Sequence, residues 1–137
     1  MPQLNSYLFF NGTCAEAMHF YSATLGARLE SMMTVAQTPM ANHSQPDMAD
    51  RIVHAHILIN GQVLMASDWL AEQPYPGMHG FSLWLGYPTI AEAQRIFDAL
   101  ADGGAITMPF QKTFWTEGFG MLSDRYGTPW MVAVAPQ

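Results

Sequence analysis

Apolar and polar positions along this chain alternate in short, strand-length runs, interrupted twice by a longer stretch of helical period. "SYLFF" (Ser6–Phe10) is followed by "NGTCAEAMHFYSATLGA" (Asn11–Ala27), and "FSLWLGY" (Phe81–Tyr87) runs into "YPTIAEAQRIFDALADGGA" (Tyr87–Ala105). Thr13, Ala15, Glu16 and Ala17 match Thr89, Ala91, Glu92 and Ala93 at one constant offset of 76. At the same offset apolar Phe20 and Tyr21 fall on Ile96 and Phe97. Both helical segments open on T-x-x-E, the pattern of a capping box, in which Thr accepts from an amide of the first turn and Glu reaches back. Both close on glycine, Gly26 in one and Gly103–Gly104 in the other, as a helix C-cap does.

Strand-like runs complete each half. The first has Arg28–Ala36, Arg51–Ile59 and Gln62–Ser67, the last two joined by Asn60-Gly61, the preferred two-residue hairpin turn. The second has Ala105–Gln111, Phe114–Leu122 and Trp130–Ala135. The plan is β-α-β-β-β, twice, with modules over residues 1–68 and 80–137 and a linker over 69–79. A polar loop of fourteen residues, Gln37–Asp50, separates two strands of the first half. In "TFWTEGFGMLSDRYGTPW" (Thr113–Trp130), Asp124 and Gly127 suit the first and fourth places of a type I turn. Alternation there places Trp115, Glu117 and Phe119 on one strand face. Gly118 and Gly120 mark a bulge or a close approach to the backbone.

Composition narrows the function. A chain of 137 residues that is 50% hydrophobic can bury a real core as one domain. Five Lys and Arg in total, with a net charge of −6, argue against a nucleic-acid partner. No apolar run reaches the roughly 20 residues that span a bilayer. The start lacks a signal-peptide pattern and the single cysteine cannot form an internal disulfide, so a cytoplasmic protein is expected. Eleven Met residues serve as adaptable core filler, or line a forgiving pocket.

The candidate polar groups are few. His54 and His56, two apart in "RIVHAHILI", point to the same face of one strand. That face is either a solvated side, with Val53, Ala55, Ile57 and Ile59 toward the core, or a place for pocket polar groups or a metal pair. Glu117 beside Trp115 is either a carboxylate against an aromatic wall or half of a rim salt bridge. Asp68 and Asp124 read as turn residues, and His19 and His43 as surface. His79 precedes the fifth strand. Cys14 falls in the first turn of a helix, where the dipole lowers a thiol pKa, but no histidine partner is evident.

Paired β-α-β-β-β modules resemble the vicinal oxygen chelate (VOC) superfamily of glyoxalase I, bleomycin-resistance proteins and extradiol dioxygenases. More narrowly, "FNGTCAEAMHFYSATLGA", "VHAHILINGQVLMASD" and "TFWTEGFGMLSDRYGTPWMVAV" look like its bacterial PhnB-like (YjdN-like) branch. The resemblance covers nearly the whole chain. It implies an α+β fold of two tandem modules curling around a shared cleft, often in a homodimer. Some members of the branch carry the label 3-demethylubiquinone-9 3-methyltransferase; no strand–glycine-loop–helix unit that would cradle S-adenosylmethionine is visible here.

The superfamily's divalent metal is held by His, Gln or Glu from the first and last strands of both modules. Carried over by motif, those places are Ser6, Met65, Phe81 (or Ser82) and Met131, none an imidazole or carboxylate. Met is a soft donor suited to copper(I), whereas the superfamily's metals prefer N and O. The expectation is therefore a protein without metal or other cofactor. Its cleft, lined by Met65, Phe81, Met131, Trp115 and Trp84, would bind a small, partly apolar molecule, with His54 and Glu117 orienting it and Ser6 and His56 nearby. The alternative is a metal-dependent lyase, isomerase or dioxygenase with a displaced metal site on His54, His56 and Glu117.

Overall fold

The computed structural model describes residues 1–42 and 46–135; His43, read above as a surface residue, lies outside the described residues. The chain divides into two compact units, Met1–Gly77 and Met78–Gln137. Each builds its own four-stranded sheet and its own core.

The first unit runs β1 (Ser6–Phe10), α1 (Cys14–Leu25), β2 (Arg28–Thr34), β3 (Ile52–Ile59) and β4 (Gln62–Asp68). Its strand order is β1-β4-β3-β2, with β1 parallel to β4 and the other neighbours antiparallel. Cys14, Ala17, Met18 and Tyr21 recur at helical spacing and are fully buried. They meet the sheet face that carries Leu8, Phe10, Ala55, Ile57, Leu64 and Ala66, and the Phe10 and Tyr21 rings lie 6.4 Å apart. Each large side chain so covered contributes about 1.5–3 kcal/mol by leaving water, so packing rather than propensity holds α1 in place. Asn60 and Gly61 take the left-handed φ values, 48° and 79°, that the β3–β4 hairpin requires.

The strand expected over Arg28–Ala36 ends at Thr34 and gives way to a 3-10 turn, Val35–Gln37, and the segment read as a polar loop carries two more, Pro39–Asn42 and Pro46–Met48. Buried Val35 and the amide bonds Val35 to Arg51 and Ala36 to Ala49 pin its two ends. Past β4, the chain folds back onto β1. The Trp69 amide donates to Phe10 O at 2.6 Å, the Trp69 indole to Gln73 O at 2.7 Å, and the Tyr75 hydroxyl to Phe9 O at 2.6 Å.

The second unit runs β5 (Leu83–Tyr87), α2 (Ile90–Ala101), β6 (Ala105–Gln111), β7 (Phe119–Ser123) and β8 (Pro129–Val134), in the order β5-β8-β7-β6. Ala93, Ile96, Phe97 and Leu100 of α2 are buried, as are Leu122, Trp130 and Val132 of the sheet. The strand expected from Phe114 begins only at Phe119. The Thr113 hydroxyl accepts from the Trp115 and Thr116 amides, and the Thr116 hydroxyl donates to Val134 O, so side chains divert this backbone from the ladder. Close approach is what Gly118 and Gly120 permit. A Cβ on either would stand 2.5 Å from a ring carbon, of Phe110 at the first and of Phe97 at the second.

Three local expectations divide. Asp124 is a turn residue as predicted: Gly127 donates to its carbonyl, and its buried carboxylate accepts from Tyr126 N, Thr128 N and Trp130 Nε1. Thr89 caps α2, accepting from Glu92 N at 3.2 Å. Thr13 makes no such bond. Asp68, expected in a turn, is instead the buried last residue of β4, and it does the capping. Its Oδ1 accepts from the Gly12 and Cys14 amides at 2.9 and 3.0 Å, and its Oδ2 from Ile52 N at 2.8 Å. Among the described residues no helix is long and apolar enough to cross a membrane.

Candidate functional site

One face of each sheet is covered by its helix. The other face carries the candidate chemistry. In the first unit the strand pairings Tyr7–Met65, Met65–His56 and Met33–His54 set these side chains side by side, opposite the buried Leu8, Ala55 and Leu64. A row of rings runs along it. Tyr75 lies 6.0 Å from Trp69, Trp69 5.7 Å from Phe9, Phe9 5.3 Å from Tyr7, Tyr7 5.9 Å from His54, and His54 6.2 Å from His56. The Tyr7 hydroxyl stands 3.3 Å from His54 Nδ1, within hydrogen-bonding distance. His54, His56 and Met65 are half-buried, while Phe9 and Tyr7 are exposed.

The second unit repeats the arrangement with different residues. Trp84 pairs with Met131, Met131 with Met121 and Met121 with Met108. Trp84 is 54% exposed, and its indole lies across Gly86, where a Cβ would meet it at 2.5 Å. The ring centres of Trp115, 58% exposed, and Phe119 lie 5.5 Å apart, edge toward face. Glu117 is exposed and makes no ion pair among the described residues, so the rim salt bridge does not form.

The four places carried over by motif do not all land together. Met65 and Met131 sit on the open faces. Ser6 alternates with Tyr7 and so shares the face of Leu8 and Phe10, at the end of β1, where it lines a shallow depression with Gln3–Asn5 and the β3–β4 turn. Phe81 lies before β5 begins. On the first strand of each unit the residues that pair with Met65 and Met131 are Tyr7 and Trp84. Neither set offers nitrogen or carboxylate donors, so these places do not fit the superfamily's divalent metal. Among the described residues no group of three His, Cys, Asp or Glu side chains converges; His54 and His56 belong to the first unit and Glu117 to the second. His19 is exposed on α1, as expected, and His79 is exposed before β5.

Tyr7, Phe9, Met33, Trp69 and Tyr75 escaped sequence reasoning. After Ser6 the stretch "SYLFF" is aromatic or aliphatic at every place, so its pattern does not say which residues face the helix; the pairing with β4 does. Cys14 is where it was expected, but its thiol is pushed up to about 12, by burial first and the nearby Asp68 charge second. The helix dipole is overridden.

Comparison with known proteins bears on the whole chain. A family model described as 3-demethylubiquinone-9 3-methyltransferase matches residues 2–133. Protein YjdN of Escherichia coli (strain K12) is 37% identical over 147 residues, covering 100% of this chain and 97% of that one. The crystal structure of PA1353 from Pseudomonas aeruginosa superposes with a TM-score of 0.91 at 41% identity, each chain covered in full. A PhnB protein from Bacillus cereus, titled a putative 3-demethylubiquinone-9 3-methyltransferase, gives 0.82 at 27% identity, with 98% and 100% of the two chains covered. At the level of fold alone, a glyoxylase/bleomycin resistance protein/dioxygenase domain from Frankia sp. gives 0.64 at 12% identity over 98% of each chain.

Proposed function

We propose, for a chain that belongs to the PhnB- and YjdN-type family described as 3-demethylubiquinone-9 3-methyltransferase and has the VOC fold, that its activity is the binding of a small, partly apolar, aromatic molecule. The observation that carries this reading is the uninterrupted row of rings on the open face of the first sheet. Flat rings offer a large apolar contact at little entropic cost, and a few polar groups beside them fix orientation. Tyr7, Phe9 and Trp69 form the wall, His54 and His56 the polar handles, and Met65 the adaptable filler. In the second unit Trp84, Met131 and Trp115 present a surface of the same kind. Glu117 stands at its margin.

Methyl transfer would call for a cradle of backbone amides around the cofactor. At the β1–α1 turn the Gly12 and Cys14 amides are taken by Asp68, and at the β5–α2 turn the Glu92 amide is taken by Thr89. A homodimer belongs to the same proposal, supported by the exposed apolar edge strand β6, whose Ile106 and Met108 are 54% and 37% exposed. Light scattering on the purified protein tests that part.

The ligand is sought by thermal melting against a panel of phenols, quinones and heteroaromatics. A molecule at 100 times its Kd adds about 2.7 kcal/mol. Stabilisation that disappears in Tyr7→Ala and Phe9→Ala supports the reading. A flat response across the panel, or one indifferent to both substitutions, overturns it.

A further inference from the structure

We propose that the open face of the first sheet also holds a soft monovalent cation, Cu(I) or its redox-inert counterpart Ag(I), with His54 and His56 as nitrogen donors and Met33 and Met65 as thioether donors. The register of three adjacent strands assembles this set. Met33 stands directly across from His54 on one side, and Met65 directly across from His56 on the other. Directly opposed residues have Cβ atoms about 4.5–5.5 Å apart, within reach of a methionine side chain. The two imidazole centres are 6.2 Å apart. Metal–nitrogen bonds of about 2.0–2.1 Å put the centres of two imidazoles on one ion roughly 5–6.5 Å apart. The gap already matches.

Donor chemistry selects the ion. Thioethers and imidazoles suit a soft d¹⁰ cation, and a hard divalent ion would want carboxylates beside the two histidines. No third His, Cys, Asp or Glu joins the pair among the described residues, so methionine sulfur is what completes the set. The Tyr7 hydroxyl, 3.3 Å from His54 Nδ1, holds that ring by one nitrogen and leaves Nε2 for the metal. Access is open: Met33 is 46% exposed, and the other three are half-buried. Of the superfamily's four metal places only Met65 takes part, so this is a different site.

The inference goes beyond the binding of an aromatic ligand and can fail separately from it. Cu(I) is titrated into the full chain under reductant, in competition with a chromophoric chelator, in a Cys14→Ala background that removes the one thiol. One equivalent is expected to bind. Met33→Leu, which leaves every ring of the row in place, lowers affinity by at least about tenfold, and Tyr7→Phe, which releases Nδ1, by about tenfold. His54→Ala with His56→Ala abolishes the site. Should that variant not fold, Ag(I) titration of methyl-labelled wild-type protein reads the same site, with two of the eleven methionine methyl signals shifting together. Binding unchanged by Met33→Leu with Met65→Leu, or silver shifts spread over other methionines, overturns the proposal.

Discussion

The Cys14 thiol and the Asp68 carboxylate are neighbours buried at the start of α1, and each has a use that its local sequence hides. Burial and the Asp68 charge hold the thiol protonated to about pH 12, against an ordinary value of 9.0. Between those values the unfolded chain loses a proton that the folded chain keeps. Stability contributed by the buried thiol is therefore present below pH 9 and is lost as pH rises toward 12. Urea melts at pH 8 and pH 10.5 are expected to show this fall, and Cys14→Ala to flatten it; Tyr75 and Tyr87, also raised by burial, supply the residual slope. Native protein should resist iodoacetamide until it unfolds. Asp68→Ala strands three backbone donors, Gly12, Cys14 and Ile52; those of Cys14 and Ile52 are buried, each costing about 1–3 kcal/mol without a partner. A loss of at least about 2 kcal/mol in chemical denaturation is expected.

Two identical T-x-x-E motifs end differently at the scale of elements. Thr89 holds the extended conformation of a cap, φ −128° and ψ 154°, and its hydroxyl is used. Thr13 sits at φ −110° and ψ 13°, and a carboxylate from β4 takes its place. The cause is the preceding turn, which holds three residues (Asn11, Gly12, Thr13) before α1 but two (Pro88, Thr89) before α2. Thr89→Ala should cost about 1 kcal/mol and Thr13→Ala less than about 0.5 kcal/mol, read as a difference in urea midpoint. That one extra residue also explains what could be read from the sequence and what could not. Cys14 and Ile90, which open the helices, are 76 apart, whereas Phe10 and Tyr87, which close the strands before them, are 77 apart. A single offset aligned the helices and slipped the strands by one place. In a strand one place is the other face, so the strand position equivalent to Trp84 is Tyr7, 77 residues earlier, and not Leu8.

Seen whole, the chain is the same plan executed twice, with strand orders β1-β4-β3-β2 and β5-β8-β7-β6. That repetition was legible because capping, glycine stops and period are local signals. The open faces were not legible, because they depend on which strands become neighbours and in what register. Met33 gives no sign of being near His54 until β2 is laid against β3. The long-range role of Asp68 has its own sequel. The ribosome makes α1 with its start bare, since the carboxylate that satisfies it arrives 54 residues after Cys14. At about 5–20 residues per second that is a wait of roughly 3 to 11 s. A fragment of residues 1–66 should accordingly show little helix by circular dichroism, and one of residues 1–77 substantially more. The second helix has no such delay, because Thr89 is made before it. Newly made N-terminal halves thus linger in a form that chaperones and proteases can see.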